Sequence, residues 1–367
     1  TAAYYTRQDI CYAIVSNLPD AKKFSSISIL EPSIGVGNFL PSIIEKYSEV
    51  SNVTIDVVDI NPMSIELLKE MLKHMYIPDN FHINFIEGDF LLLNFDKKYD
   101  IVIGNPPYMK LTKEKELASR YKANAINKDT NNIFAFFVEK SLSLGNYVSL
   151  IVPKSIINAP EFNKTREVMN SYSITHLIDF GEKAFKGVKI ETVSFAINTK
   201  KKSDDTIVIS YINNGIRKLK QSYITDSSFP YWLLYRNEEF DSIADSMVFG
   251  IFKSYRDRVI TKSVTKPNGK VRVLKSRNIG NNEIIDIPDY DCYVDDASSF
   301  DVSKFLGRTE CVLVPNLTYN PRACFLPDNC VADGSVAILT LADSDDVVSS
   351  DDLKFYATEE FANFYAI

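Results

Sequence analysis

Tyr99-Asp100-Ile101-Val102-Ile103-Gly104-Asn105-Pro106-Pro107-Tyr108 is the stretch from which the rest of this chain is read. Its apolar run follows a lysine pair, Lys97 and Lys98, and ends on two prolines, the pattern of a buried strand that stops abruptly at its carboxyl end. Consecutive prolines fix φ and remove two backbone donors, so the carbonyls around them cannot join a ladder. The side-chain amide oxygen of Asn105 and the carbonyl of Pro106 then form a pair of acceptors with no donor between them.

Such a pair suits an exocyclic amine, which has two N–H groups to give. The amine of adenine is a poor nucleophile because its lone pair is delocalised into the ring. Two fixed acceptors localise that pair and stabilise the positive charge that develops on nitrogen as it attacks. Tyr108 adds a flat face on which a base can stack. Read alone, the motif is equally a turn after a strand.

Working outward, three further strand ends carry ligand-binding residue types. Residues 27–31 form an expected strand that feeds Glu31-Pro32-Ser33-Ile34-Gly35-Val36-Gly37 and then a helix with apolar Phe39, Leu40, Ile43, Ile44 and Tyr47. Gly35 and Gly37 allow close backbone approach to a ligand, as in dinucleotide-binding turns. An expected strand over 53–58 ends in Asp59, roughly twenty residues after the glycines, where an acid can accept from both hydroxyls of a ribose. A helix over 62–75 follows. The third strand, 82–86, leads to Asp89-Phe90, an acid and an aromatic suited to an adenine amine and ring face. Sites at the carboxyl ends of successive strands separated by helices are what an open parallel sheet offers a ligand.

Ahead of these, Thr6 with Asp9 three residues on reads as a helix N-cap with an acid in the first turn, or as a carboxylate holder. After them, the polar residues 110–132 read as a mobile loop, followed by a helix over 133–144 and strands over 148–153, 174–180 and 192–198. Phe185, in a lysine-flanked loop, is either a loop anchor or a second wall facing Tyr108. Lys200 to Asp205 reads as a charged hinge, and Asn213-Asn214-Gly215 as a hairpin turn.

From about Asn237 the strand–helix rhythm gives way to short apolar runs, polar turns and a basic stretch. The expected domains are 1–238 and a mostly β 239–367. Lys253, Arg256, Lys270, Arg272, Lys275 and Arg277, with Asn278, Asn316 and Tyr319, are side chains suited to phosphates and base edges. They are equally compatible with a solvated face balanced by the acidic runs 286–296 and 343–352. The net charge of −7 argues against a uniformly basic coat.

With 367 residues, 45% hydrophobic, the chain can bury one large core or two ordinary ones. No apolar run spans a bilayer, and the expectation is a soluble, cytoplasmic protein with no membrane partner. Five cysteines without C-x-x-C spacing and three histidines point to buried free thiols and no metal. Thr1 is not Met and the last residues carry no capping signal, so a trimmed chain with an incomplete second domain is expected.

Taken in order, Tyr5-Thr6, Glu31-Pro32-Ser33-x-Gly35-x-Gly37, Asp59, Asp89-Phe90, Asn105-Pro106-Pro107-Tyr108 and Phe185 resemble the gamma-class DNA adenine-N6 methyltransferases of restriction-modification systems. The resemblance covers about residues 4–195, and a looser one, through 271–278 and 311–319, is to that family's target-recognition domain. It implies a Rossmann-like α/β sheet for S-adenosylmethionine with a mostly β recognition domain. By that resemblance Thr6, Glu31, Ser33, Gly35, Gly37, Asp59, Asp89, Phe90, Asn105 and Pro107 hold the cofactor. Asn105, Pro106, Tyr108 and Phe185 hold a flipped-out adenine. Ser33 departs from the alanine of many relatives.

The implied partners are double-stranded DNA and a cognate restriction endonuclease, with the enzyme acting as a monomer; no nuclease segment is recognisable here, so cleavage would come from another protein or from a missing part. Alternatives with the same fold act on cytosine N4, RNA or protein glutamine, or are inactive DNA-specificity proteins. A dinucleotide oxidoreductase is disfavoured by Leu40 at the third glycine position.

Overall fold

A computed structural model of the chain describes residues 6–316, 318–343 and 345–367. Tyr5 of the Tyr5-Thr6 motif and Leu317 of the 311–319 segment lie outside the described residues. The chain divides into two compact units, Thr1–Leu234 and Tyr235–Ile367.

The first unit is built on a nine-stranded sheet. Its strands are β1 (Ser26–Glu31), β2 (Asn52–Asp59), β3 (Phe81–Glu87), β4 (Tyr99–Gly104), β5 (Gly145–Pro153), β6 (Ser173–Gly181), β7 (Thr192–Asn198), β8 (Asp205–Ser210) and β9 (Gly215–Lys220). They lie in the order β3-β2-β1-β4-β5-β7-β6-β8-β9. The first five are parallel, β7 runs against both β5 and β6, and β8–β9 is an antiparallel hairpin turning through Asn214 at φ 54°. The central strands are continuous apolar runs because helices cover both faces. Ile29, Ile55, Ile101, Ile103 and Ile151 are almost inaccessible.

Helices α1 (Gln8–Ser16), α2 (Leu40–Tyr47), α3 (Pro62–Leu72), α4 (Lys115–Asn124), α5 (Ile133–Leu144) and α6 (Asn163–Asn170) connect these strands or precede them. α1 is capped by Arg7 and not by Thr6, and its first-turn acid Asp9 pairs with the Arg7 guanidinium at 2.7 Å. Two sequence expectations are corrected. The segment 110–132 contains α4, whose Ala118 and Tyr121 are buried. The charged residues Lys200 to Asp205 join β7 to β8 within the sheet, so they form a connector inside one unit and not a hinge. No described helix is long and apolar enough to cross a membrane.

The second unit is mostly β. Strands β10 (Phe252–Tyr255), β11 (Val271–Leu274), β12 (Cys292–Val294), β13 (Val312–Pro315), β14 (Cys324–Phe325), β15 (Cys330–Ala332) and β16 (Val336–Leu341) form a four-stranded sheet, β10-β16-β13-β14, and a three-stranded one, β12-β11-β15. Val273, Leu274, Ile279, Leu313, Val331, Val336 and Ile338 fill its core.

Candidate active site

Because β1 is flanked by β2 and β4, the chain order reverses between β1 and β4, and the carboxyl ends of these two strands mark the topological switch point. Glu31 closes β1 and Asn105 follows β4, so the two motif segments meet there. A Cβ added at Gly104 would stand 3.2 Å from Pro32 Cδ, a measure of how closely the strand ends approach.

Three hydrogen bonds lock the junction. Ser33 Oγ donates to the Asn105 carbonyl at 2.8 Å. Asn105 Nδ2 donates to Thr6 Oγ1 at 3.2 Å, which defines Oδ1 as the accepting end of that amide. Asn38 Nδ2, just past the glycine turn, donates to the Thr6 carbonyl at 2.8 Å. Thr6 is buried and also forms a β-bridge with Phe185. The structure therefore brings Thr6, Glu31, Ser33, Asn105 and Phe185 into one neighbourhood from segments spread over about half the chain.

The glycine turn follows the same logic. Gly35 and Gly37 adopt φ of +56° and +76°. A Cβ at Gly35 would project into open space, whereas one at Gly37 would come within 2.7 Å of Leu68 Cδ1. Gly35 thus faces open space and Gly37 lets α3 pack against the turn. Gly35 N–H donates to Asp59 Oδ2 at 2.9 Å and Asn61 N–H to Oδ1 at 2.8 Å, so the Asp59 carboxylate fixes the turn against the entry to α3. Each oxygen keeps a second lone pair for a ligand.

Glu31 is fully buried, and its Oε2 has no hydrogen-bond partner among the described residues. Burial, reinforced by the nearby charge of Asp59, pushes its carboxyl well above the ordinary range. A buried acceptor in that state calls for a cationic or donor group.

Asp89 Oδ1 accepts from Leu91 N–H at 2.9 Å, and Oδ2 accepts from the Tyr121 hydroxyl at 2.6 Å. Phe90 is buried, its ring 5.8 Å from Phe95 and 4.9 Å from Phe137, so here it belongs to an aromatic cluster. Lys140 Nζ holds the Phe90 carbonyl at 2.6 Å. Pro106 is buried, and Pro107 and Tyr108 are half-buried. The Tyr108 hydroxyl donates to the Ile151 carbonyl at 2.9 Å, and its ring meets Phe185 edge-on, centroids 5.9 Å apart at 64°. The two rings touch; they do not stand parallel with a gap between them.

Sequence reasoning missed two contributors. Tyr121 sits in a segment whose polarity hides its helix, and Lys140 looks like a surface residue of α5, so neither leaves a sequence signal.

In the second unit the nine residues expected to meet DNA separate into two groups. Lys253, Lys270 and Arg277 are exposed, and so is Tyr319, completely. Arg256 is exposed with its guanidinium near the Gly334 carbonyl, and Asn316, with its amide turned to suit its neighbours, accepts from Arg256 Nη1 at 3.0 Å. Lys275 Nζ lies 3.7 Å from the centroid of the Tyr290 ring, with Arg277 at 4.8 Å from the same ring. Arg272 and Asn278 are corrections. Arg272 is paired with Asp286 at 2.6 Å and Asp291 at 2.8 Å, its side chain only 18% exposed. Asn278 is fully buried, caps Lys275 N–H at 2.9 Å and donates to Asp291 at 2.6 Å. Both hold the unit together, and the acidic run around Asp286 supplies their partners.

Residues 64–185 match the family model described as Eco57I restriction-modification methylase. The chain is 26% identical over 222 residues to the Type II methyltransferase M.VspI of Vibrio sp. (strain 343), covering 59% of this chain and 53% of that protein. It is 30% identical over 200 residues to the Type II methyltransferase M.HincII of Haemophilus influenzae, covering 51% of this chain and 36% of that protein. The chain thus spans about half the length of the first relative and about a third of the second. The Type IIL restriction-modification enzyme MmeI in complex with DNA superposes with a TM-score of 0.57 at 11% identity, covering 92% of this chain and 60% of that one, a likeness of fold. The resemblance to restriction-modification methyltransferases carried by the sequence motifs is shared by the family model and by these relatives.

Proposed function

We propose that the protein is a site-specific DNA methyltransferase that uses S-adenosylmethionine and modifies adenine at N6. The observation that carries this reading is the junction of β1 and β4. There the Asn105-Pro106-Pro107-Tyr108 acceptors and the glycine turn are joined through Ser33 and Thr6 at the switch point of a parallel sheet.

The residues fit the cofactor. The unpartnered buried Oε2 of Glu31 suits the ammonium of the methionine part, and the open space beside Gly35 leaves the turn's backbone approachable. Asp59 suits the ribose hydroxyls and Asp89 the adenine amine, with Pro107 and Phe90 nearby in the sequence of the site. When bound, S-adenosylmethionine supplies a methyl group made electrophilic by its sulfonium. Asn105 Oδ1 and the Pro106 carbonyl accept the two N–H bonds of the target amine, orient its lone pair, and stabilise positive charge as it forms. Thr6, by engaging Nδ2, keeps the Asn105 amide from presenting its donor end to that amine. Tyr108 and Phe185 stack on a base taken out of the duplex, which requires their edge-on contact to open.

The second unit is proposed as the target-recognition domain, with Lys253, Arg256, Lys270, Arg277 and Tyr319 facing DNA. The partners proposed are double-stranded DNA and a cognate restriction endonuclease, with the protein acting as a monomer in the cytoplasm.

Transfer of labelled methyl from S-adenosylmethionine to unmethylated genomic DNA, with RNA and a protein extract as parallel acceptors, tests the reading. Label recovered as N6-methyladenine of DNA is the expected result. Label confined to cytosine, RNA or glutamine would overturn the substrate and leave the cofactor assignment standing.

A further inference from the structure

The segment between the Asn105-Pro106-Pro107-Tyr108 motif and α5 has no role in the chemistry above, yet it is anchored with care. Its two ends are tied together: Leu111 N–H donates to the Asn131 carbonyl at 2.9 Å, Ile133 N–H to the Met109 carbonyl at 2.9 Å, and Lys110 and Asn132 form a β-bridge. Near its return, the buried carboxylate of Glu139 on α5 accepts Ile126 N–H at 2.7 Å and Asn127 N–H at 3.1 Å. Between these ties the chain makes an excursion carrying α4, most of whose side chains are exposed or polar.

One side chain of α4 reaches a ligand-binding residue. Tyr121 is buried, its ring centroid 6.0 Å from that of Phe136, and its hydroxyl donates to Asp89 Oδ2 at 2.6 Å. The other oxygen of Asp89 is already committed to Leu91 N–H, so the carboxylate is held at both ends with its plane fixed. Burial, together with the bond to Asp89, raises the Tyr121 phenol above its ordinary value, so it stays a proton donor. A carboxylate oxygen has two lone pairs, and a phenol on one leaves the second in a defined direction.

We propose that Tyr121 is a positioning residue of the cofactor site: it aligns Asp89 to accept the adenine amine, and through it α4 covers the adenine end of the site. This rests on the assignment of S-adenosylmethionine as cofactor. It makes the excursion after the amine-binding motif part of cofactor recognition, so target and cofactor residues lie on one continuous segment.

The test is calorimetric binding of S-adenosylhomocysteine and of its analogue lacking the 6-amino group, to the whole chain and to Tyr121→Phe and Asp89→Asn. Removing a hydrogen bond to a charged group at this point is expected to weaken S-adenosylhomocysteine about tenfold. The deamino analogue, which gives Asp89 nothing, is expected to weaken by no more than about twofold. In the Asp89→Asn background, adding Tyr121→Phe is expected to change neither affinity. A merely structural role would weaken both ligands alike, and that result, or no change in either, overturns the proposal.

Should Tyr121→Phe fold poorly, tryptic cleavage of the unaltered protein after Arg120 and Lys122 is read instead. S-adenosylhomocysteine is expected to slow it, and unslowed cleavage with ligand bound overturns the covering role. Failure of the unaltered protein to bind S-adenosylhomocysteine would bring down the cofactor assignment and this proposal with it, an outcome distinct from a protein that binds normally yet is indifferent to Tyr121.

Discussion

Ser33 was read from sequence as a cofactor contact standing where many relatives have alanine, but its hydroxyl points at the amine-binding motif, donating to the Asn105 carbonyl at 2.8 Å. Ser33→Ala deletes that bond and nothing else, because alanine fits wherever serine does. A neutral, half-buried hydrogen bond contributes about 1 kcal/mol net. If that energy holds Asn105 in its reactive position, its loss appears in the transition state as roughly fivefold slower transfer. The unit would also unfold about 2–4 °C lower. Single-turnover transfer of labelled methyl to DNA at saturating S-adenosylmethionine measures the first quantity, and calorimetric binding of S-adenosylhomocysteine measures the alternative. The expected outcome is a rate about fivefold lower with affinity within about twofold of the parent. Affinity lost about fivefold at unchanged single-turnover rate would refute the positioning argument and return Ser33 to the cofactor.

The two glycines of the turn are expected to fail differently. Gly35→Ala and Gly37→Ala each place a side chain at positive φ, at a cost of about 1 kcal/mol. Only Gly37→Ala also collides with Leu68, so it should lose more stability in thermal unfolding, about 2–3 kcal/mol. Gly35→Ala should fold and lose cofactor affinity, since its methyl stands in the open space where a ligand would approach the turn; full affinity would show that the ligand does not pass there. Burial, with the nearby Asp59 charge, makes the Glu31 carboxyl hold its proton more tightly than an exposed one, and that proton competes with an ammonium for the same oxygens. Its folded value lies above its unfolded one, so its contribution to stability is complete below the ordinary carboxylate range and is lost as pH rises through the folded value. S-adenosylhomocysteine affinity should rise with pH over that same window, and Glu31→Gln should flatten the profile; an unflattened profile assigns the proton elsewhere. Asp56 shows the opposite sign. Burial alone would raise its carboxyl, but hydrogen bonds from Lys97, Tyr99 and Asn84 outweigh this and leave it lowered. Its contribution is present above about pH 4 and lost as pH falls further, so urea unfolding of Asp56→Asn should converge with the parent in acid and fall short of it at neutrality.

The central sheet was legible because its strands are apolar runs punctuated by Gly, Pro and Asp, signals that survive without any tertiary information. Thus 99–104 and 192–198 were bounded as observed, and the acids and Asn105 fell at carboxyl ends. α4 was not legible because only Ala118 and Tyr121 of its ten residues are buried, too few for a periodic stripe. What makes it a helix over Asp89 is a partner about thirty positions away, and spacing rules cannot see such contacts. The same blindness affected the basic stretch. Composition counted Arg272 as a free cation, yet Asp286 and Asp291 fold back onto it, and Asn278, a polar residue in a loop by pattern, is fully buried among the groups it caps.

These misses share a cause that bears on function. A strand-end acid or glycine is exposed to a ligand by topology, so its residue type and position are enough to suggest its use. Ser33, Tyr121 and Lys140 act on Asn105, Asp89 and Phe90 through side-chain contacts; the motif around Ser33 marks its position but not its partner, and nothing in the sequence neighbourhood of Tyr121 or Lys140 marks either. Each joins an element that follows or precedes the amine-binding motif to an element of the cofactor turns. The two halves of the site are therefore mechanically one object: a substitution that loosens Asp89 through Tyr121 acts on the segment that leaves Tyr108, and one that loosens Asn105 through Ser33 acts on the segment that enters the glycine turn. Substitution of Ser33 should therefore appear in transfer rate through Asn105, and substitution of Tyr121 in cofactor affinity through Asp89.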